Sequence, residues 1–267
     1  MLENKKIKRR RINLIEMSVK MRNIKLTIEY DGKDFNGWQK QPNRLNIQGS
    51  IEYAIYQITG EHVNLQASGR TDAGVHALGQ VANFKTESKI PIEKFAIAIN
   101  TNLKRSIRVI KAEEVDEKFH SRLSCKRKTY RYIINNSENG TAIYRNLETN
   151  ISIHLDEIKM NEAIKYFIGE HDFKAFKASG TSSKSSVRII YDAKVYRNGD
   201  RVYIELTGNG FLYNMVRIIA GTLVEVGMGK LEPTDIPKII ESKNRENAGK
   251  TLQPQGLYLV KVEYDKC

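Results

Sequence analysis

The feature that most constrains the fold of this chain is a sequence of predicted strands and helices that occurs twice in the same order. In the first half, apolar and polar residues alternate over 24–30, which is typical of a strand with one buried face. Later patterns predict a helix at 47–59, strands at 63–67 and 79–85, a helix from Pro91 to Asn100 and a strand at 107–115. The order strand, helix, strand, strand, helix, strand is that of a ferredoxin-like unit.

The second half repeats this order. Its signals are a strand at 128–134, a helix from Asp156 to Gly169, a hairpin of 187–196 and 201–207 around Asn198-Gly199, a helix at 211–226 and a strand at 257–264. We therefore predict an α+β fold of two ferredoxin-like halves, with mainly antiparallel sheets flanked by helices. The predicted divisions are a basic arm at 1–22, an N-terminal domain at 23–117 and a C-terminal domain at 118–267.

The charge of the chain favours a polyanionic partner. Its 44 Lys and Arg exceed its 31 Asp and Glu, which gives a formal charge of +13. Basic side chains gain affinity for nucleic acid by displacing counterions from phosphates. The arm carries eight Lys or Arg against Glu3 and Glu16, so the rest of the chain keeps an excess of +7. The arm itself is either a solvated tail, a short helix or an RNA-binding segment.

Several classes of protein do not fit the sequence. The two cysteines, Cys125 and Cys267, are too far apart for a disulfide framework or a zinc site, which indicates a reducing, cytoplasmic setting. The five histidines have no metal-ligand spacing, so no metal is expected. No apolar run has the length of about 18 residues that a membrane span needs.

A glycine-rich stretch at 68–77 holds the main catalytic candidate. Two glycines and several small residues surround Arg70 and Asp72, a composition suited to a tight loop that approaches a ligand. The same residues are also ordinary in a turn with a solvated Arg70–Asp72 pair. Composition alone leaves both interpretations open.

The predicted helix at 211–226 places one guanidinium in an apolar setting. Its apolar residues leave little polar face, which is typical of a buried helix, and Arg217 lies in the middle of it. A buried guanidinium is costly unless it is paired, so Arg217 requires an acidic partner or an anionic ligand. Asp72 is the natural partner, although Arg217 could also extend to solvent from the edge of the helix.

Three aromatic residues admit a binding or a packing role. Tyr130 and Tyr132 are two apart on a strand, so they share a face, and basic residues flank them. Such tyrosines can stack on bases, or they can be ordinary core residues. Trp38 lies in a loop of amides and lysine, where it either stacks on a base or packs inward as a plug.

Two polar stretches in the second half are predicted to be mobile. Residues 179–186 are nearly all Ser, Thr, Gly or Lys, and residues 242–256 are similarly polar. The sequence does not say whether the first of them contacts RNA.

Seven stretches together resemble the TruA family of tRNA pseudouridine synthases. The most specific of them is Gly69-Arg70-Thr71-Asp72-Ala73-Gly74-Val75-His76. The seven occur in the family's order and span most of residues 23–264, at 30–32, 37–41, 69–77, 119–122, 128–132, 208–217 and 256–259.

The resemblance implies an isomerase that converts uridines 38, 39 and 40 in the anticodon stem-loop of tRNA to pseudouridine. It implies that Asp72 is the catalytic carboxylate, Arg70 displaces and holds the flipped nucleotide, Tyr130 stacks on the uracil and Arg217 pairs with Asp72. It also implies a homodimer without metal or cofactor, with each active site in the cleft between the two halves. In such a cleft, we expect Arg217 to keep Asp72 ionised. The alternative is a catalytically silent RNA-binding or RNA-chaperone protein on the same fold.

Overall fold

A computed structural model describes residues 21–180 and 185–265 of the chain. The arm at 1–22 therefore lies almost wholly outside the described residues, as does the centre of the polar stretch at 179–186. The described strands form one mainly antiparallel sheet with five α-helices, as the α+β prediction requires.

The first half contains β1 (Arg22–Tyr30), α1 (Ile47–Thr59), β2 (Gln66–Ala67), β3 (His76–Thr86), α2 (Ile92–Thr101) and β4 (Ile107–Val115). Strand β1 lies between β4 and β3, and β2 pairs with β3 beyond them. Helix α1 has the predicted bounds because both ends have local signals. The Asn46 side chain accepts from the Gly49 N–H at its start, and Gly60 ends it at φ 73°.

The second half contains β5 (Arg127–Asn135), β6 (Thr149–Asn150), α3 (Glu157–Ile164), β7 (Gly169–Asp172), β8 (Val187–Asn198), β9 (Arg201–Gly208), α4 (Met215–Gly227), α5 (Ile236–Ser242) and β10 (Leu257–Glu263). Strand β5 lies between β10 and β9, and β8 pairs with β9. The predicted hairpin is confirmed, and its turn is Gly199-Asp200. Both halves thus have the strand order of a ferredoxin-like unit.

The two halves join edge to edge. Strand β10 pairs in parallel with β3, through Tyr258 with His76 and Leu259 with Ala77. The sheet consequently continues through both halves, in the order β4-β1-β3-β10-β5-β9-β8-β7. The apolar side chains of β1, such as Ile24 and Ile28, are fully buried in a core that also includes Ile51 and Phe95 of the helices. The division of the chain after residue 117 stays a prediction.

Several predicted elements differ from the structure, among them β3, which begins at His76 and not at residue 79. Strand β2 has only two residues instead of the predicted 63–67, because it pairs with β3 only at Asn83 and Ala82. Helix α4 begins at Met215 rather than 211, since Asn214 takes a left-handed conformation with φ 59°. The helix predicted to end at Gly169 is α3, which ends at Ile164 because a 3₁₀ turn follows it at Lys165–Phe167. Its Ile158 is 77% exposed, so Ile158 does not share the buried face with Ala163.

The stretch at 242–256 is not the mobile polar loop that its composition predicts. Ala248 and Leu252 are buried, and the Gly249 N–H donates to Thr222 Oγ1 of α4. The approach is close enough to require a glycine on the helix, because a Cβ on Gly221 would lie 1.9 Å from the Lys250 carbonyl oxygen. This segment, residues 248–256, therefore packs along α4 and ends beside the loop at 68–77.

Among the described residues, no helix combines the length and the apolar character that crossing a bilayer requires.

Candidate active site

The stretch at 68–77, called the Asp72 loop below, runs from the end of β2 into the first residues of β3 and is fixed at its start. Ser68 is fully buried, and its Oγ donates to Gln80 Oε1 at 2.7 Å. The Gln80 side chain returns a hydrogen bond from Nε2 to the Gly69 carbonyl at 2.9 Å. Because Gln80 is itself fully buried within β3, the loop leaves the sheet in one defined direction.

The centre of the Asp72 loop is fixed by Thr71. Its Oγ1 hydrogen-bonds to the Tyr30 hydroxyl at 2.7 Å, and its carbonyl accepts from the Trp38 N–H at 3.0 Å. Trp38 is only 2% exposed, and its ring lies 6.1 Å from that of Tyr30. Trp38 is thus a plug beneath the loop, and its ring is not free to stack on a base.

Gly37 lets the Trp38 segment approach the Asp72 loop closely. Its φ is +81°, and a Cβ at this position would lie 2.6 Å from the Thr71 carbonyl oxygen. Any side chain would therefore push against the backbone that carries Asp72.

Asp72 combines partial burial with access from outside. Its side chain is 35% exposed, and its nearest cation is Arg217, with Nη1 at 4.0 Å from Asp72 Oδ2. Burial raises the pKa of Asp72 above its ordinary 3.8, and the Arg217 guanidinium lowers it by less than burial raises it. The Arg217 guanidinium thus favours the ionised carboxyl, and burial opposes it more strongly.

Arg217 is held by neighbours other than Asp72. Its Nε donates to the Leu252 carbonyl at 2.7 Å, and its Nη1 donates to Asn214 Oδ1 at 2.8 Å. It lies in the first turn of α4 rather than mid-helix, so its charge adds to the positive end of the helix dipole. The guanidinium and the helix end therefore both favour an anion at Asp72.

Tyr130 and Tyr132 differ in how their hydroxyl groups are placed. The Tyr130 ring is 8% exposed and lies 5.0 Å from Phe211 in an edge-to-face arrangement. Within the described residues its hydroxyl has no hydrogen-bond partner, whereas the Tyr132 hydroxyl bonds to Thr149 and to the Gln253 carbonyl. Burial raises the pKa of Tyr130, and the nearby Asp72 charge raises it further. Tyr132 is a satisfied core residue, and Tyr130 faces the Asp72 side.

Arg70 is exposed and makes no ion pair with Asp72. Across residues 21–180 and 185–265 its guanidinium has no hydrogen bond or ion pair at all. The solvated Arg70–Asp72 pair considered from composition is therefore absent, and Arg70 is free to contact a ligand.

Sequence reasoning missed several groups that shape the site. His76 lies at the end of the loop, where its buried ring contacts two other segments. Its Nδ1 accepts a hydrogen bond from the Gly32 N–H at 3.0 Å, and its Nε2 lies 3.0 Å from the Asn146 carbonyl oxygen. Burial lowers the pKa of His76 by more than the Asp31 carboxylate, 3.1 Å from Nδ1, raises it, which favours the neutral ring. Lys128 also contacts the loop, through Nζ and the Ser68 carbonyl at 2.6 Å. Its spacing of two from Tyr130 on β5 was the signal that could have identified it.

No three His, Cys, Asp or Glu side chains cluster as a metal site in the part of the chain that the structure describes.

A family model described as tRNA pseudouridine synthase matches residues 26–123 and 163–265. The first matched segment contains Arg70 and Asp72, the second contains Arg217, and Tyr130 falls between them. The match covers well over half of the chain.

Individual relatives extend the similarity. A protein of Caldicellulosiruptor saccharolyticus named tRNA pseudouridine synthase A is 56% identical over 244 residues, which is 91% of this chain and all of that protein. The protein of the same name from Acetivibrio thermocellus is 52% identical over the same shares. A Clostridium perfringens protein named tRNA pseudouridine synthase A 2 is 49% identical, again over 91% of this chain and all of its own length.

Proposed function

The chain belongs to the tRNA pseudouridine synthase family, and from this membership we propose that it is an isomerase that converts uridine to pseudouridine in tRNA. The observation that carries the proposal is the arrangement at Asp72. A partly buried carboxylate with a raised pKa lies 4.0 Å from a guanidinium, on a loop fixed at its start and centre, and one side remains open. Such a group suits reaction with a substrate that enters from outside.

The target uridines are those at positions 38, 39 and 40 of the anticodon stem-loop, and the working enzyme is a homodimer. Both assignments rest on the seven stretches that resemble the TruA family. The charge of +13 supports a polyanionic substrate of this kind.

The reaction exchanges one glycosidic bond for another. The N1–C1′ bond of uridine breaks, the uracil turns while it stays bound, and a C5–C1′ bond forms. The proton on C5 then leaves to solvent and N1 takes up a proton, so uridine and pseudouridine have the same composition. The base has to leave the RNA stack for this sequence to take place.

Asp72 starts the reaction by one of two routes. Its carboxylate attacks C1′ as a nucleophile, or it removes a proton from the ribose. Both routes need the ionised form, and a carboxylate with a raised pKa is a stronger base than an ordinary one. Arg217 supplies the cation that favours ionisation, and its bonds to Leu252 and Asn214 keep that cation in place.

Tyr130 and Arg70 handle the base. The phenol of Tyr130 is neutral at physiological pH, because even the ordinary tyrosine pKa of about 10 lies well above it and burial raises the pKa of Tyr130 further. Its face therefore offers an uncharged surface on which the detached uracil stacks. Arg70, exposed at the same loop, enters the RNA and holds the flipped nucleotide.

The test is tritium release from tRNA that contains 5-tritiated uridine. The unaltered protein should release tritium, and Asp72→Asn should bind the tRNA without releasing any. Asp34→Asn is the matched control, because it removes one negative charge at an exposed position in the preceding loop. It should release tritium at the rate of the unaltered protein.

Two results would overturn the proposal. Tritium release by Asp72→Asn at the control rate would remove Asp72 from the reaction. Binding of tRNA without any release by the unaltered protein would instead favour the catalytically silent RNA-binding alternative.

A further inference from the structure

Lys128 connects the strand that carries Tyr130 to the loop that carries Asp72. It is half-buried on β5, on the same face as Tyr130, and its Nζ donates to the Ser68 carbonyl at 2.6 Å. The ammonium also lies against Gly69, where an added Cβ would be 2.9 Å from Nζ. Lys128 thus contacts the start of the Asp72 loop directly.

The Lys128 charge has no carboxylate partner in the described parts of the chain, 21–180 and 185–265. An ammonium has three N–H donors, and the Ser68 carbonyl takes one of them. Burial lowers the pKa of Lys128. The nearby Cys125 opposes this shift, and the positive charges of Arg122 and Arg188 add to it. Two donors are therefore left in a region that is already positive.

Such an arrangement is costly in the free protein. A partly dehydrated cation beside other cations loses hydration and gains repulsion, and a single carbonyl does not neutralise it. A neutral amide or hydroxyl would serve as a donor to Ser68 without this cost. The charge itself consequently points to an anionic ligand at this position.

We propose that Lys128 binds a phosphodiester of the substrate RNA, next to the nucleotide that Asp72 acts on. The proposal rests on the proposed function and deepens it, because it names the part of the RNA that one residue holds. Since the same ammonium donates to the Ser68 carbonyl, it would contact the bound phosphate and the Asp72 loop at the same time. Lys128 is in this sense a positioning residue as well as a binding residue.

The experiment measures tRNA affinity as a function of salt concentration. Each variant is made in the Asp72→Asn background, so that binding is measured without turnover. Lys128→Met should raise Kd about tenfold near 0.1 M salt and reduce the slope of log Kd against log salt by about 0.7–0.9, the value for one phosphate contact. Lys128→Arg should keep the slope, because it keeps the charge.

Lys126→Met is the matched control. It removes the same charge two residues away, at a side chain that is 59% exposed and paired with Asp265 at 3.0 Å. It should change the slope by far less than Lys128→Met does. Should Lys128→Met fail to fold, Lys128→Gln replaces it, since its amide removes the charge and keeps a donor.

A positioning role has its own measurement in the active background. At saturating tRNA, Lys128→Met should lower kcat as well as raise KM, and Lys128→Arg should restore most of kcat. The proposal would be overturned if the slope of log Kd against log salt were the same for Lys128→Met, Lys128→Gln and Lys126→Met. Lys128 would then only hold the Asp72 loop through its hydrogen bond to Ser68. If the unaltered protein forms no pseudouridine, the proposed function fails, while the salt slopes still decide the role of Lys128.

Discussion

Replacement of Arg217 by glutamine should move the acid limb of the pH profile of kcat/KM to higher pH. In the free enzyme this limb reports the ionisation of the group that must be deprotonated, which is Asp72. Removal of a cation disfavours the carboxylate form, so the pKa of Asp72, already raised by burial, rises further. Activity is then lost at a higher pH as the medium is acidified.

The size of the shift follows from the distance between the charges. Two unit charges 4.0 Å apart interact by about 4 kcal/mol at an effective dielectric constant of 20 and by about 1 kcal/mol in bulk water. The Asp72 side chain is 35% exposed, so solvent screening brings the value towards the lower figure. One pKa unit corresponds to about 1.4 kcal/mol, and we therefore expect a shift of about one unit.

The assay is the initial rate of tritium release at low tRNA concentration, from about pH 5 to 9, with thermal unfolding measured alongside. Asn214→Gly is the control, because glycine accepts the φ of 59° at this position and the change removes only the side-chain partner of Arg217. It should move the limb by less than Arg217→Gln does, because the charge of Arg217 and its bond to the Leu252 carbonyl remain. A limb that stays fixed in Arg217→Gln, with a lower rate at every pH, would show that Arg217 acts by anchoring Leu252 and would refute the electrostatic argument.

Two further predictions concern the loop. Gly37→Ala should lower the free energy of unfolding by about 2–4 kcal/mol and reduce tritium release, because the added Cβ would lie 2.6 Å from the Thr71 carbonyl oxygen at a residue with φ +81°. Gly229→Ala is the control, because Gly229 has φ +70° but nothing within 4 Å of an added Cβ. It should lower the free energy of unfolding by about 1 kcal/mol and leave activity unchanged. Equal losses in urea unfolding would contradict the role of close contact. Asp72→Asn should stabilise the protein at pH 7.5 by less than about 1 kcal/mol, because burial disfavours the ionised carboxyl. This gain in the free energy of unfolding should vanish as pH falls through the raised pKa of Asp72. A gain that grows in acid would show that the pKa of Asp72 is lowered in the folded protein.

The elements that the sequence predicts well are those with local signals. Helix α1 has a cap at Asn46 and a left-handed glycine at Gly60, and β4 has a clear apolar pattern, so both have their predicted bounds. The length of β2 depends on its pairing with β3, which is not local. The start of α4 depends on the left-handed Asn214, and the apolar run before it gives no sign of that conformation.

The site was predictable where it depends on side chains with distinctive chemistry. Residue type and setting made Asp72 and Arg217 candidates, and the resemblance to the family singled out Tyr130 over Tyr132. The structure brings Arg217 within 4.0 Å of Asp72. The carbonyl of Leu252 could not be selected, because every residue has one and only the packing of 248–256 on α4 places it beside Arg217. The Lys128–Ser68 contact joins residues 60 apart in sequence and needs the assembled sheet.

Position-by-position mapping of pseudouridine in cellular tRNA decides whether this chain forms pseudouridine through Asp72. Cells that lack the protein are compared with cells that carry the unaltered chain or Asp72→Asn at equal expression. We expect pseudouridine at positions 38, 39 and 40 only with the unaltered chain, and its loss with Asp72→Asn. Full modification at these positions in cells that carry Asp72→Asn, or in cells without the protein, would contradict the account.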